Sequence, residues 1–138
     1  MMRRYSILVL VLLLLAACKT VGISHQDGGY AEVSVNIAHQ MLLDDRQILV
    51  LDIRPAEAYA GATGHIAGSV SAPLATIEQR LPQLIPYQSG TVLVYGDSES
   101  SSKDASKLLV ASGFRNVVRI EGGIDRWIEK GYETVTVH

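Results

Sequence analysis

The sequence contains very little cysteine: Cys18 is the only one among 138 residues. An intramolecular disulfide and a metal cluster held by several cysteines are both excluded. Positive charge is not concentrated either. The 12 lysine and arginine residues are outnumbered by 14 acidic ones, and no basic run or aromatic-basic stripe occurs. Nucleic acid is therefore not an expected partner, and no residue pattern indicates a cofactor or a metal.

The first residues have the pattern of an export signal. Arg3 and Arg4 precede a mainly apolar run over residues 5–17, which ends in small residues. As a helix this run would be about 20 Å long, shorter than the roughly 30 Å hydrocarbon core of a bilayer. A signal peptide over residues 1–17 is therefore favoured over a membrane span, and a short signal anchor is the alternative.

The end of the apolar run resembles the lipobox of bacterial lipoproteins. Leu15, Ala16 and Ala17 come directly before Cys18. The resemblance implies that the signal is removed and that Cys18 is acylated, which would leave no free thiol in the mature chain. Several acyl chains on one residue anchor a protein stably. We therefore expect a lipid-anchored cell-envelope protein on the periplasmic face, and Lys19 is compatible with sorting to the outer membrane.

The rest of the chain divides into a short tether and one domain. Residues 18–29 contain the cysteine and a polar, glycine-bearing segment, which is typical of a flexible linker. Over residues 30–138, runs of β-forming residues alternate with helical spacing. Strands are expected at 30–35, 47–53, 69–73, 91–95 and 116–120, and helices at 35–45, 76–85, 103–112 and 122–131. This order predicts an α/β fold with a mainly parallel central sheet and helices on both faces.

Three segments follow the expected strands at their carboxyl ends. Asp52 ends one strand, the loop 96–102 follows another, and residues 121–123 follow the last. Open parallel sheets bind ligands in the crevice beyond the carboxyl ends of their strands. The three segments are therefore expected to form one site.

Two stretches of the sequence resemble the rhodanese signature. The first runs over residues 51–74, where an Asp-x-Arg at a strand end precedes a Glu, an aromatic residue, Gly-His-Ile and Pro-Leu. Its matching residues are Asp52, Arg54, Glu57, Tyr59, Gly64, His65, Ile66, Gly68, Pro73 and Leu74. The second is the closing Gly-Gly-x-x-x-Trp element, matched by Gly122, Gly123 and Trp127. The resemblance implies a single rhodanese-like domain.

The resemblance also implies what the 96–102 loop should contain. Active rhodaneses carry a cysteine after the strand, whose thiolate accepts sulfur, and backbone N–H groups of the loop hold the persulfide. Alignment by strand and helix puts Gly96 at the cysteine position, residues 97–101 in the cradle and Ser102 at a helix-starting position. A hydroxyl cannot replace the thiolate as a sulfur carrier. We therefore expect this mechanism to be absent.

The candidates for ligand binding in this loop are polar or small. They are Gly96, Asp97, Ser98, Glu99, Ser100, Ser101 and Ser102. Asp97 and Glu99 would each repel an anionic sulfur donor by about 1 kcal/mol at a partly exposed site. No lysine or arginine lies within the loop to compensate. These carboxylates and Asp104 are expected to be hydrated rather than bound to a metal.

The serines of the loop have a plain structural interpretation. Ser101 and Asp104 fit a capping box at the start of a helix, which leaves Ser98 and Ser100 as solvated turn residues. The alternative is a hydrolase in which a loop serine acts with His65 and Asp52. The Gly-x-Ser-x-Gly elbow of such enzymes is missing from the chain.

The neighbours of the loop are expected to serve structure. Asp52 and Arg54 would pair and tie adjacent loops together, and Gly122 and Gly123 would permit a tight turn. The segment 60–64 is longer than the usual spacing of the signature. It is expected either to reshape the mouth of the pocket or to contact a partner.

These observations predict a lipid-anchored rhodanese-like domain that does not transfer sulfur. It would instead bind an envelope protein or a small anionic ligand over the 96–102 loop. The alternatives are a sulfur-handling enzyme that uses a partner's thiol and an unrecognised serine-dependent activity.

Overall fold

The computed structural model describes residues 22–137. Its strands are β1 (Ile23–His25), β2 (Ala31–Val33), β3 (Leu49–Asp52), β4 (Val70–Ser71), β5 (Thr91–Tyr95) and β6 (Asn116–Ile120). Its α-helices are α1 (Val35–Asp44), α2 (Ala56–Ala60), α3 (Ile77–Leu84), α4 (Glu99–Ala111) and α5 (Gly123–Glu129). Short 3₁₀ turns lie at Leu74–Thr76 and Ile85–Tyr87.

The strands form one six-stranded sheet in the order β1-β2-β6-β5-β3-β4. All neighbouring pairs are parallel except β1 with β2. The predicted α/β fold with a mainly parallel sheet is confirmed. Among residues 22–137 no helix is both long and apolar enough to span a bilayer.

Successive side chains of the central strands point to opposite faces of the sheet, and a hydrophobic core lies on each face. In β5, Val92 and Val94 point to one core, whereas Leu93 and Tyr95 point to the other. Helices α3 and α4 cover the first core, and α1 and α5 cover the second. Helices therefore lie on both faces, as predicted.

The beginning of the described chain corrects the predicted tether. Within the expected linker 18–29, Ile23–His25 form the edge strand β1, which pairs in register with β2. A hairpin forms here because Gly29, at φ +78°, allows the chain to reverse before Ala31. The predicted signal peptide 1–17 and the lipidation site Cys18 lie outside the described residues.

Candidate functional site

The carboxyl edge of the sheet brings the 96–102 loop against the Gly122-Gly123 turn. The loop joins β5 to α4, and the turn joins β6 to α5. The Ile124 N–H donates to the Gly96 carbonyl oxygen over 3.0 Å. Gly123 has φ +55°, and a Cβ there would lie 2.1 Å from that same oxygen. Only glycine permits this close approach.

Gly96 itself is buried at the start of the loop. A Cβ on Gly96 would lie 2.8 Å from Cδ1 of Ile53 and 3.3 Å from its Cγ1. Its φ is not positive, so an L side chain fits the backbone and only the flexible end of Ile53 must shift. A cavity of about 140 Å³ opens beside it, lined by Gly96, Asp97, Ser98, Glu99, Gly122 and Gly123.

Helix α4 begins earlier than the capping box predicted. Ser98 is the N-cap, and its Oγ accepts the Ser101 N–H over 3.2 Å. The prediction that Ser101 caps the helix and that Ser98 is only a solvated turn residue was therefore wrong. The cap moved because Ser98 has the extended backbone that an N-cap requires, whereas Ser101 is already helical.

The two remaining serines of the loop have different surroundings. Ser100 is exposed in the first turn of α4. Ser102 is buried, and its hydroxyl donates to the Ser98 carbonyl oxygen over 3.0 Å. Ser102 therefore lies inside the helix rather than at its start.

An ion network that the sequence analysis missed lies beneath the loop. Arg119 of β6 is 1% exposed and sits beside Glu32 of β2, its partner in the parallel register. Its Nη2 lies 2.7 Å from Glu32 Oε1, and its Nη1 lies 2.6 Å from Glu99 Oε2. Nη1 also donates to Ser102 Oγ over 3.3 Å. A signal was present: Arg119 interrupts an apolar strand at a position that alternation points toward a core.

Glu99 is held by this network and by the glycine turn. Its Oε1 accepts the Gly122 N–H over 3.0 Å. Burial by itself would raise the pKa of Glu99, but the Gly122 N–H and the Arg119 charge outweigh it and lower that pKa. The loop itself contains no cation, but Arg119 of β6 pairs with the Glu99 charge from outside the loop. Asp97 is exposed and forms no ion pair within residues 22–137.

Asp52 and Arg54 form a second buried network on the opposite face of the sheet. Arg54 Nη2 lies 2.6 Å from Asp52 Oδ2, and the Tyr95 hydroxyl donates to the same oxygen over 2.6 Å. Arg54 Nη2 also donates to the Gly64 carbonyl oxygen over 2.8 Å. Burial and the Asp52 carboxylate raise the pKa of Tyr95, which keeps its hydroxyl protonated. The pair thus ties a strand end to a distant loop.

The hypothetical Ser-His-Asp arrangement is not formed. The His65 ring stacks on Tyr59, and its Nδ1 lies 3.0 Å from the Tyr59 carbonyl oxygen. The Asp52 carboxylate accepts from Arg54 and Tyr95 instead of orienting the imidazole. The aspartate and the histidine of this hypothesis serve separate structural contacts.

The long segment 60–64 lies away from the loop. The Thr134 hydroxyl donates to the Thr63 carbonyl oxygen over 2.8 Å, and the His65 N–H donates to Val135. The segment is thus fastened to the C-terminal tail. Of the two alternatives for this segment, a contribution to the pocket mouth finds no support, since other residues line both cavities beside Gly96 and Asp97. A contact with a partner stays a prediction.

A larger, mainly apolar groove lies on the other side of the loop, with a volume of about 640 Å³. Its lining residues are Ile53, Pro55, Ala56, Glu57, Pro73, Leu74, Ala75, Thr76, Asp97 and Ser101. The only charged residues among them are the exposed Glu57 and Asp97. Within residues 22–137, no group of three acidic, histidine or cysteine side chains is placed to hold a metal ion.

A mainly parallel sheet covered on both faces, with strand-to-helix loops at its carboxyl edge, defines an open-sheet α/β domain. The sequence profile of the rhodanese-like domain family matches residues 34–130. This chain belongs to that family.

Curated relatives extend beyond the length of this chain. The uncharacterized protein slr1261 of Synechocystis sp. is 29% identical over 108 residues, covering 75% of this chain and 58% of the relative. The tRNA uridine(34) hydroxylase of Yersinia pestis is 26% identical over 109 residues, covering 71% of this chain and 30% of the enzyme. The chain therefore spans less than two thirds of each.

Solved structures share the fold. The rhodanese-like domain of Alr3790 from Anabaena sp. superimposes with a TM-score of 0.69 at 23% identity, covering 77% of this chain and 79% of that one. The thiosulfate sulfurtransferase of Pseudomonas aeruginosa gives a TM-score of 0.67 at 25% identity, covering 77% of this chain and 20% of that one. These similarities relate the domain to sulfurtransferases.

Proposed function

We propose that this chain is a rhodanese-like binding domain that does not carry sulfur itself and is held at the cell envelope by a lipid on Cys18. The observation that carries the proposal is the glycine at the start of the strand-to-helix loop. Gly96 has no side chain, and Cys18, far away in the sequence, is the only thiol of the unprocessed chain. Persulfide chemistry requires a thiolate at the loop, which this chain does not supply.

Sulfur transfer from thiosulfate to cyanide tests this proposal directly. The full chain is assayed as wild type and as Cys18→Ser, which removes any contribution from the lipidation cysteine. Neither is expected to form thiocyanate above the uncatalysed rate. Turnover by the Cys18→Ser chain would contradict the proposal, because no thiol would then be present.

A Gly96→Cys variant in the Cys18→Ser background tests the reason for inactivity. The backbone at residue 96 accepts a side chain, and only the end of Ile53 must move. Measurable sulfur transfer is therefore expected to appear. If the folded variant stays inactive, the missing thiol is not the sole reason.

We propose a protein partner for the groove beside the loop. Its apolar lining suits an apolar side chain, and the rim carboxylates of Glu57 and Asp97 favour a neutral or basic partner segment. A photo-crosslinking residue at Ala75, inside the groove, should give a discrete protein adduct in cells. The same residue at Ser89, at the opposite edge of the sheet, is the control and should give none.

The lipid anchor is tested separately. Metabolic labelling with palmitate should mark the wild-type chain. Cell fractionation should then find the labelled chain in the membrane fraction of the envelope. Cys18→Ala should lose both the label and the membrane association. A labelled Cys18→Ala chain would contradict the assignment of the acylated residue.

A second candidate function is sulfur handling with a partner's thiol. It is supported by the 140 Å³ cavity beside Gly96 and by the sulfurtransferases among the structural relatives. Reduced thioredoxin added to the Cys18→Ser chain serves as the thiol donor in its test. Thiocyanate formation above that of thioredoxin alone would favour this candidate.

A further inference from the structure

The carboxylate of Glu99 is bound as a ligand would be. Its two oxygens contact different donors: Oε1 accepts the Gly122 N–H over 3.0 Å, and Oε2 lies 2.6 Å from Arg119 Nη1. Both donors come from the β6 end of the sheet, not from the helix to which Glu99 belongs. The Glu99 carboxylate of α4 thus occupies two hydrogen-bond donors that belong to β6 and to the turn after it.

Arg119 does not need Glu99 for its own neutralisation. Its Nε and Nη2 both contact Glu32 Oε1, over 2.9 and 2.7 Å. Glu32 is in turn fixed by Gln26, whose Nε2 donates to Oε2 over 3.1 Å. The pair with Glu32 leaves Nη1 directed toward the loop, where it donates to the Ser102 hydroxyl over 3.3 Å and pairs with Glu99. Glu99 is therefore the anion that this end of the guanidinium binds.

Space for an external anion exists on both sides of Glu99. The 140 Å³ cavity beside Gly96 and a second cavity of about 450 Å³ are both lined by Glu99 and Gly122. The second cavity also carries Arg126 and Lys130, together with the acidic Glu121. Glu99 therefore borders two open volumes, both of which also reach Gly122.

We propose that the Gly122 N–H and the Arg119 guanidinium form a binding site for an oxyanion, which the Glu99 carboxylate occupies as an internal ligand. Because the tethered carboxylate is present at a high effective concentration, it competes with sulfate or thiosulfate for the two donors and weakens their binding at the loop. Glu99 is then the residue that determines which ligands the loop accepts. The inference rests on the proposed function, since both concern the same loop.

Sulfate binding to the full chain in detergent micelles tests the site. The readouts are the backbone amide resonance of Gly122 and the guanidinium resonances of Arg119, followed by NMR as sulfate is added at neutral pH. Glu99→Ala should show saturable shifts at both residues. Its affinity for sulfate should exceed that of wild type by at least about tenfold, the scale expected for a freed charge-assisted hydrogen bond.

Asp97→Asn is the matched control. It removes the same single charge from the same loop but leaves Glu99 on its two donors. If it gains as much sulfate affinity as Glu99→Ala, the effect is general charge and the proposal is overturned. Equal binding by the wild type, or no binding by folded Glu99→Ala, also overturns it.

Glu99→Gln keeps the size of the side chain and tests the site even if the alanine variant does not fold. Its amide oxygen still accepts the Gly122 N–H but cannot compete as an anion for Arg119, so a smaller gain in sulfate affinity is expected. No gain would overturn the proposal. Sulfate binding reports the site alone, whereas thiocyanate formation reports the proposed function, so either can fail while the other stands.

Discussion

Two buried ion networks lie on opposite faces of the same sheet, and they differ in how they reach solvent. The Asp52–Arg54 network is closed, because both side chains are at most 3% exposed and Tyr95 completes it from within the core. The Glu32–Arg119–Glu99 network is open at one end, since the Glu99 side chain is 55% exposed. The closed network supports the frame of the domain, and the open one brings a buried charge to the loop.

The two networks also differ in what it costs to break them. A fully buried pair is costly to break, because neither charge can return to water without unfolding. A pair with one exposed member can exchange that member for another anion at much lower cost. Only the open network lies at the 96–102 loop, where ligand selection is proposed.

The largest expected effect is that of breaking the closed network. Arg54→Met leaves the Asp52 carboxylate buried with only Tyr95 and nearby backbone to compensate it. The free energy of unfolding should fall by about 3–5 kcal/mol, measured by urea denaturation. Adding Asp52→Asn removes the stranded charge and should recover part of the loss. If Arg54→Met lost less unfolding free energy than Arg119→Met, the closed network would not be the more costly of the two to break.

Breaking the open network should cost less. Arg119→Met strands the buried Glu32, but Glu99 can turn to water and Glu32 keeps its contact with Gln26. A loss of about 2–3 kcal/mol is expected in the same measurement. The double variant Glu32→Met/Arg119→Met should return to within about 1 kcal/mol of wild type, since an apolar pair replaces the ion pair. If the stability of the double variant did not recover, the network would have a role in the fold beyond charge pairing.

The pH dependence of stability should identify the exposed end of the open network. The folded pKa of Glu99 lies below its ordinary value of 4.5, so the unfolded chain binds the proton more readily. The contribution of Glu99 is therefore complete above pH 4.5 and is lost as the pH falls through the lowered pKa. The stability difference between wild type and Glu99→Gln, measured from pH 7 to pH 3, should shrink toward acid pH. A constant difference would contradict this assignment.

The smallest effect is expected at an ion pair outside both networks. Arg126 and Glu129 are paired over 2.9 Å with side chains 51% and 66% exposed. Arg126→Ala should change the free energy of unfolding by no more than about 0.5 kcal/mol, because water and salt screen the pair. If Arg126→Ala lost as much unfolding free energy as Arg119→Met, burial would not explain why the three ion pairs differ in their effect on stability.

The same contrast explains how much the sequence could predict. The Asp52–Arg54 pair spans two residues at the end of an apolar strand, so its partners are adjacent in any fold that contains that strand. Glu99 and Arg119 lie on different elements, and Glu32 joins them from a strand 87 residues before Arg119. Nothing local in the sequence links these three. The capping error has a related cause, since Ser98 and Ser101 both suit an N-cap and only the observed backbone distinguishes them.

The amino-acid sequence by itself determined the alternation of strands and helices, the burial of the sheet on both faces and the lack of cysteine among residues 96–102. These follow from side-chain period and residue chemistry, which act over short stretches of chain. Tertiary structure alone decided that a buried arginine of β6 and a glycine N–H meet the carboxylate of Glu99. Strand register and helix placement set those distances, because they bring together groups that the chain keeps far apart.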